Sequence, residues 1–130
     1  MMFDQDPYVT GYPEIRSFWE ATEQGRMVLP QCSACGRFHW FPRAHCPFCH
    51  RGDIQWVPAS GFGTLYSYSV TRGVQGPHVL AYVELPEGVV MLTNVVGCDP
   101  DLLTIGMPLR VDFRRAGHGR NVPVFQVVVT

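Results

Sequence analysis

The hydrophobic period of the chain changes once along its length. Between Pro13 and Gln24, the residues Ile15, Phe18, Trp19 and Thr22 recur at i, i+3, i+4 and i+7, which predicts an amphipathic helix. Pro13 suits its first turn, Glu14 its positive end, and Gly25 its stop. A helix of about twelve residues is marginal by itself, so the Ile15, Phe18 and Trp19 face must dock. It docks either on the chain's own barrel or on a partner subunit. Residues 1–12 carry no period and read as an extended arm.

After this helix the pattern is that of strands. Arg26–Gln31 reads as a short strand, and Phe38-His39-Trp40-Phe41 alternates before Pro42 as the expected second strand of a ribbon. Gly63–Arg72 alternates, with Thr64, Tyr66, Tyr68 and Val70 on one face and Leu65, Ser67 and Ser69 on the other. Val79–Leu85 and Val89–Val96 flank the turn Pro86-Glu87-Gly88. Asp99–Thr104 reads as a helical turn. Leu109, Val111 and Phe113 alternate with Arg110, Asp112 and Arg114, and after the polar loop Gly117–Pro123 a last strand covers Val124–Val129. The apolar density of Val89–Val96 and Val124–Val129 fits strands buried on barrel closure.

Five strands with a helical piece between the third and fourth describe an OB-fold barrel, although an SH3-like barrel or a sandwich reads similarly. The expected fold is therefore mainly β: an N-terminal arm and helix over 1–25, a zinc ribbon over 26–58, and a five-stranded OB-fold barrel over 59–130.

Four of the five cysteines make that middle segment a ribbon. They fall as Cys32-x2-Cys35 and Cys46-x2-Cys49 with ten residues between the pairs. Two such pairs form the ligand pattern of a tetrahedral four-cysteine zinc site, one structural Zn2+ per chain. Gly36 allows the first turn. A redox dithiol needs one such pair between a strand and a helix, which is not the context here. A degenerate site without metal remains the other alternative. His39, His45 and His50 lie in the same segment, but four thiolates already complete the tetrahedron and leave no open position for water. The zinc deaminase signature is missing as well, because no His-x-Glu precedes the cysteines.

Composition and charge narrow the function. The chain is 46% hydrophobic and 16% charged, a globular balance, and its formal charge of −1 gives no basic footprint for nucleic acid. Its ten basic residues are all arginine, which excludes a Schiff-base or phosphate-loop lysine. The aromatic run Phe38–Phe41 beside Arg37, Arg43 and Arg51 suits either the cover of a small zinc module or the stacking of bases. The first residues lack the basic flank and apolar run of a signal peptide, and no apolar stretch reaches the roughly 18 residues that span a bilayer. A cytoplasmic protein is expected.

No catalytic set survives inspection. There is no Gly-x-Ser-x-Gly elbow, His-Glu-x-x-His or phosphate loop, and Gly61-Phe62-Gly63 leads into a strand as a bend or bulge. Cys98, with His78 or His118 near it in space, reads as a nucleophile or, more simply, as a small buried hydrophobe. Asp99 and Asp101 flank Pro100 as a helix start or as acid–base groups.

A larger pattern runs through these pieces. Phe18-Trp19-Glu20-Ala21, Gly25, Cys32-Ser33-Ala34-Cys35-Gly36, Pro42-Arg43 and Cys46-Pro47-Phe48-Cys49 occur in that order. Trp56, Gly61-Phe62-Gly63-Thr64-Leu65-Tyr66-Ser67, Ala81-Tyr82-Val83-Glu84-Leu85, Gly106-Met107-Pro108-Leu109-Arg110-Val111, Phe113 and Pro123-Val124-Phe125 follow. Over residues 13–126 this order and spacing resembles the family of small acyl-CoA-associated proteins built from an N-terminal helix, a rubredoxin-like zinc ribbon and an OB-fold.

The resemblance implies a non-catalytic accessory or scaffold subunit of a thiolase-like enzyme (thiolase, aldolase or acyltransferase) or of a hot-dog-fold enoyl-CoA hydratase, as in steroid side-chain breakdown. It implies that Cys32, Cys35, Cys46 and Cys49 are the ribbon ligands and that the catalytic residues belong to the partner. A hetero-oligomer of two copies with two partner subunits is the natural assembly. Arg114, Arg115 and Arg120 are candidate contacts for the phosphates of acyl-CoA, and Ile15, Phe18 and Trp19 for the partner. The competing expectations are a single-strand nucleic-acid-binding module and a stand-alone acyl-CoA-binding protein.

Overall fold

The computed structural model describes residues 3–117 and 119–128. They form two compact units: Met1–Ser60 with Phe113–Val122, and Gly61–Asp112 with Pro123–Thr130. Among the described residues no helix is long and apolar enough to cross a membrane.

The first unit begins with a 3₁₀ turn at Phe3–Gln5 and helix α1 (Pro7–Thr10). The expected extended arm is therefore folded. Asp6 caps α1 by accepting the Tyr8 N–H at 2.8 Å, and Pro7 fills the first helical position. Such an Asp-Pro start needs no apolar period, which is why periodicity missed it. The amphipathic segment forms a 3₁₀ turn (Pro13–Ile15) running into helix α2 (Arg16–Glu23). Ile15, Phe18, Trp19 and Thr22 are all buried. Phe18 meets the rings of Trp19 and Trp40 edge-on at 4.9 and 5.3 Å and lies 6.5 Å from Trp56.

Strand β1 (Val28–Cys32) pairs antiparallel with β2 (Ile54–Pro58), with Pro30 opposite Trp56. The expected ribbon strand at Phe38–Phe41 is reduced to one bridge between Phe38 and Gln31. Pro42 blocks its extension, and the second strand forms only after the chain has passed both cysteine pairs.

Five strands close the barrel in the order β3-β4-β5-β7-β6. They are β3 (Phe62–Gly73), β4 (Gly76–Glu84), β5 (Val90–Val95), β6 (Pro108–Arg115) and β7 (Asn121–Val127), with a 3₁₀ turn at Pro100–Leu102 between β5 and β6. This is the expected OB-fold. Asp99 caps that turn by accepting the Asp101 N–H, so the helix-start reading of Asp99 holds.

Two details of side-chain direction differ from the sequence pattern. The register passes from Leu65 opposite Val83 to Ser67 opposite Tyr82, so Tyr66 sits in a β-bulge. One extra residue exchanges the two faces of a strand. Beyond it Tyr68 lies opposite buried Ala81, while Ser67 and Ser69 lie opposite the outward Tyr82 and Leu80. The apolar run of β5 is likewise not buried throughout. Met91, Thr93 and Val95 point inward, whereas Val90 and Leu92 are exposed.

Candidate metal centre

The two cysteine pairs fold as near-identical knuckles. In the first, the Gly36 N–H donates to the Cys32 carbonyl at 2.7 Å and the Cys32 N–H to the Arg37 carbonyl at 3.0 Å. In the second, the His50 N–H donates to the Cys46 carbonyl at 2.9 Å and the Cys46 N–H to the Arg51 carbonyl at 2.8 Å. Gly36 and His50 both have positive φ, 78° and 68°. The sequence units Cys-x-x-Cys-Gly-Arg and Cys-x-x-Cys-His-Arg thus build the same turn twice.

The knuckles bring the sulfurs of Cys32, Cys35, Cys46 and Cys49 within 4.8 Å of one another. Cys32 Sγ lies 3.5 Å from Cys49 Sγ, and Cys35 Sγ lies 3.7 Å from Cys46 Sγ. A zinc ion bonded to four thiolates at about 2.3 Å requires S–S edges of about 3.8 Å, so the donor set fits. Backbone N–H groups already point at the sulfurs: Cys35 N–H at Cys32 Sγ, and those of Phe48 and Cys49 at Cys46 Sγ, at 3.4–3.5 Å.

Burial pushes the Cys46 thiol up, but these N–H groups and the neighbouring thiols outweigh it and bring it down to about 6. At Cys49 the Arg51 N–H favours the thiolate, yet burial and the three surrounding thiols raise it to about 11. Four sulfurs this close cannot all ionise without a cation among them. The cluster is a closed structural site for one metal ion, with no fifth ligating group in it among the described residues. Across it, the Arg37 guanidinium of the first knuckle lies over the Phe48 ring of the second at 3.7 Å.

His39 is buried beside the ribbon, with neither ring nitrogen hydrogen-bonded to protein, and burial, then Arg43, lowers its pKa. His45 and His50 are exposed. None of the three belongs to the metal-ligating cluster found among the described residues.

Residues 19–55 match the family described as the ChsH2 rubredoxin-like zinc ribbon domain, and residues 56–114 the ChsH2 C-terminal OB-fold domain. A DUF35 domain-containing scaffold protein of Methanocaldococcus jannaschii is 32% identical over 78% of this chain and 77% of its own length. The chain belongs to the DUF35 family.

A probable enoyl-CoA hydratase alpha subunit of Thermomonospora curvata is 40% identical over 87% of this DUF35 chain, which spans 37% of that relative's length. The benzoylsuccinyl-CoA thiolase subunit BbsA of Thauera aromatica is 30% identical over 58% of this chain and 60% of its own. Among solved structures, a chain of the Ltp2-ChsH2(DUF35) aldolase superposes with a TM-score of 0.79 at 38% identity, covering 88% of this chain and 94% of that one.

The remaining expected site residues of the DUF35 chain fall as follows. Ile15, Phe18 and Trp19, read as partner contacts, are 4%, 0% and 6% exposed, and so offer a partner almost no surface. Arg115 is held by the Glu23 carboxylate at 2.6 Å and donates to the Gly119 carbonyl. Arg120 is held by Asp6 at 3.3 Å. Both guanidinium groups, read as candidates for CoA phosphates, are already engaged by carboxylates, whereas Arg114 is exposed.

Cys98 and His78 do line one small cavity of about 170 Å³ in the barrel unit. Burial, then the Asp99 carboxylate, pushes the Cys98 thiol up, the opposite of what a nucleophile needs. His118, the other expected neighbour of Cys98, lies outside the described residues. The sequence reading missed the Asp6 and Glu23 anchors of Arg120 and Arg115, whose partners lie about a hundred positions away along the chain.

Proposed function

We propose that this chain is a non-catalytic accessory subunit of an acyl-CoA enzyme of the thiolase-like class, which it holds and stabilises. The observation that carries this reading is the metal centre. The clustered metal-ligating groups among the described residues are four cysteines that close a tetrahedron, so the chain's most reactive side chains are used to build structure. Its relatives support the rest, being named as a scaffold protein, as subunits of a thiolase and of a hydratase, and as part of an aldolase.

The assembly follows the two-fold symmetry of such enzymes, two copies of this chain with two partner subunits. Of the three arginines considered for acyl-CoA phosphates, Arg114 is the one that carries the proposal, because Arg115 and Arg120 are engaged. The near-neutral charge weighs against nucleic acid.

The test is co-expression of the tagged chain with a thiolase-like acyl-CoA enzyme of its own organism, followed by size-exclusion chromatography with light scattering and metal analysis. An equimolar complex with about one zinc per chain is expected. A chain that elutes by itself as a stable monomer, and an enzyme whose stability and turnover ignore it, would overturn the reading.

A further inference from the structure

The outer face of the barrel carries a surface with the make-up of an interface core. On β3, β4 and β5 the cross-strand rows that point outward are Ser69–Leu80–Asn94, Ser67–Tyr82–Leu92 and Thr64–Glu84–Val90. Phe62, two residues before Thr64, and the bulged Tyr66 extend it. The six apolar members, Phe62, Tyr66, Leu80, Tyr82, Val90 and Leu92, are between 38% and 58% exposed. Three of them, Leu80, Tyr82 and Leu92, line a depression of about 190 Å³.

We propose that this face, with the ribbon that continues it, seats an apolar and uncharged surface of the partner enzyme; the inference rests on the accessory-subunit reading. Beyond Val79, β4 has no pairing with β5, and beyond Thr64, β3 has none with β6. Thr71–His78 is therefore a two-stranded ribbon with all eight residues exposed, and Val74 at its tip is 107% exposed. An uncovered strand edge next to an uncovered apolar face is what a free-standing protein avoids.

Size and charge select the occupant. The six side chains present about 500 Å², at the upper end of what a monomer leaves uncovered. With the ribbon the surface reaches about 800 Å², one partner's share of a standard stable interface. Glu84 is the single charged residue in the three rows across β3, β4 and β5, and the exposed Arg110, opposite Phe62 on β6, borders them. Arg72, the single charged residue of the ribbon, is paired with Asp101 at 3.5 Å. A surface with so little free charge offers nothing to phosphates or to an acidic peptide. Depletion of charge with exposed tyrosines is the composition of a desolvated protein–protein core.

The experiment uses the full chain co-expressed with the same thiolase-like enzyme. Hydrogen–deuterium exchange on the wild-type complex is expected to show protection of amides in 66–82 relative to the free chain. Leu80→Glu/Leu92→Glu is expected to keep the zinc and the melting curve of the free chain while weakening the complex more than tenfold. Tyr12→Glu, which adds a charge at an exposed aromatic of the first unit, is expected to bind like wild type.

Full binding by a folded Leu80→Glu/Leu92→Glu chain, or protection confined to other segments, would overturn the face and leave the accessory reading intact. A free wild-type dimer that the double variant converts to monomer would assign the face to a second copy and overturn the proposal. Failure of the wild-type chain to bind the enzyme at all would overturn both.

Discussion

Asp6 has no exposed surface, and its carboxylate lies 3.3 Å from the Arg120 guanidinium while accepting the Arg120 backbone N–H at 3.1 Å. The same guanidinium lies over the rings of Tyr8 at 4.2 Å and Trp19 at 5.2 Å. One ion pair therefore joins the cap of α1, the aromatic face of α2 and the loop between β6 and β7. A buried charge is tolerated only where it is paired and hydrogen-bonded, and Asp6 has both.

Asp6→Asn is expected to destabilise the protein by about 3 kcal/mol at neutral pH, because it strips the counter-charge from a largely buried guanidinium. The effect has a pH signature. Burial raises the Asp6 pKa, but the N–H groups of Tyr8 and Arg120 and the Arg120 charge outweigh it, so the folded value lies below the ordinary 3.8. A carboxylate with a depressed folded pKa contributes its full stability above the unfolded value and loses it as pH falls through the folded one. Thermal melts of wild type and Asp6→Asn should thus differ most above about pH 5, begin to close below about pH 4 and converge only below the folded value. A gap that is constant down to pH 3 would assign the effect to packing and to the lost cap instead.

What was legible from the sequence was local. The four cysteines sit within eighteen residues, and the two-residue spacing inside each pair dictates the knuckle, so the ligand set follows from the chain itself. Strand count and the short turn after Asp99 pointed to the OB-fold barrel but left an SH3-like barrel or a sandwich open. What was not legible depends on pairings across the chain. Pro30 finds Trp56 only after the metal loops are made, so the ribbon strand was expected at Phe38–Phe41. Asp6 finds Arg120 across 114 positions. The bulge at Tyr66 leaves no mark in the alternation, yet it decides which face Tyr68 and the serines occupy. Leu80, Tyr82 and Leu92 read as ordinary strand hydrophobes, and only the register shows that they point outward.

The duplicated knuckle makes a paired prediction. His50 occupies with φ 68° the place that Gly36 occupies with φ 78°. A side chain in that region costs about 1 kcal/mol, which glycine escapes. Gly36→Ala is expected to lower stability by about 1 kcal/mol, whereas His50→Gly is expected to be neutral or to raise it by about 0.5 kcal/mol. A marked loss on His50→Gly, seen in denaturant melts at constant zinc, would show that the imidazole holds the second knuckle by a contact of its own.

Removing the metal tests how far the ribbon depends on it. Without a cation, four sulfurs within 4.8 Å must reprotonate or repel, and the knuckles lose the centre they wrap. Dialysis against a strong chelator, or Cys32→Ser/Cys46→Ser, is expected to release about one zinc per chain. The melting temperature is expected to fall by about 10 °C or more, with the near-ultraviolet signal of Trp40 and Trp56 lost first. Those two rings pack on Phe18, so an unfolded ribbon uncovers α2. An unchanged melting curve in the metal-free chain would show that strand pairing of β1 with β2 and the aromatic packing suffice.

The barrel has its own weak point at Gly63. A Cβ built there lies 2.6 Å from Val83 Cγ1 and 2.9 Å from the Glu84 carbonyl oxygen, closer than any real Cβ sits. The first contact is with a fully buried side chain and the second with strand backbone, so neither can swing away. Gly63 also lies opposite Leu109, in the short stretch where β3 pairs with β6 to close the barrel. Gly63→Ala must therefore push β3 off β4 or loosen the seam, and is expected to cost about 2 kcal/mol. Gly73→Ala, at the end of the exposed ribbon with nothing within 4 Å, serves as the control and is expected to change little. Equal melting temperatures for the two variants would mean that the seam between β3 and β6 yields to a methyl group, and that closure at Gly63 contributes little to the stability of the barrel.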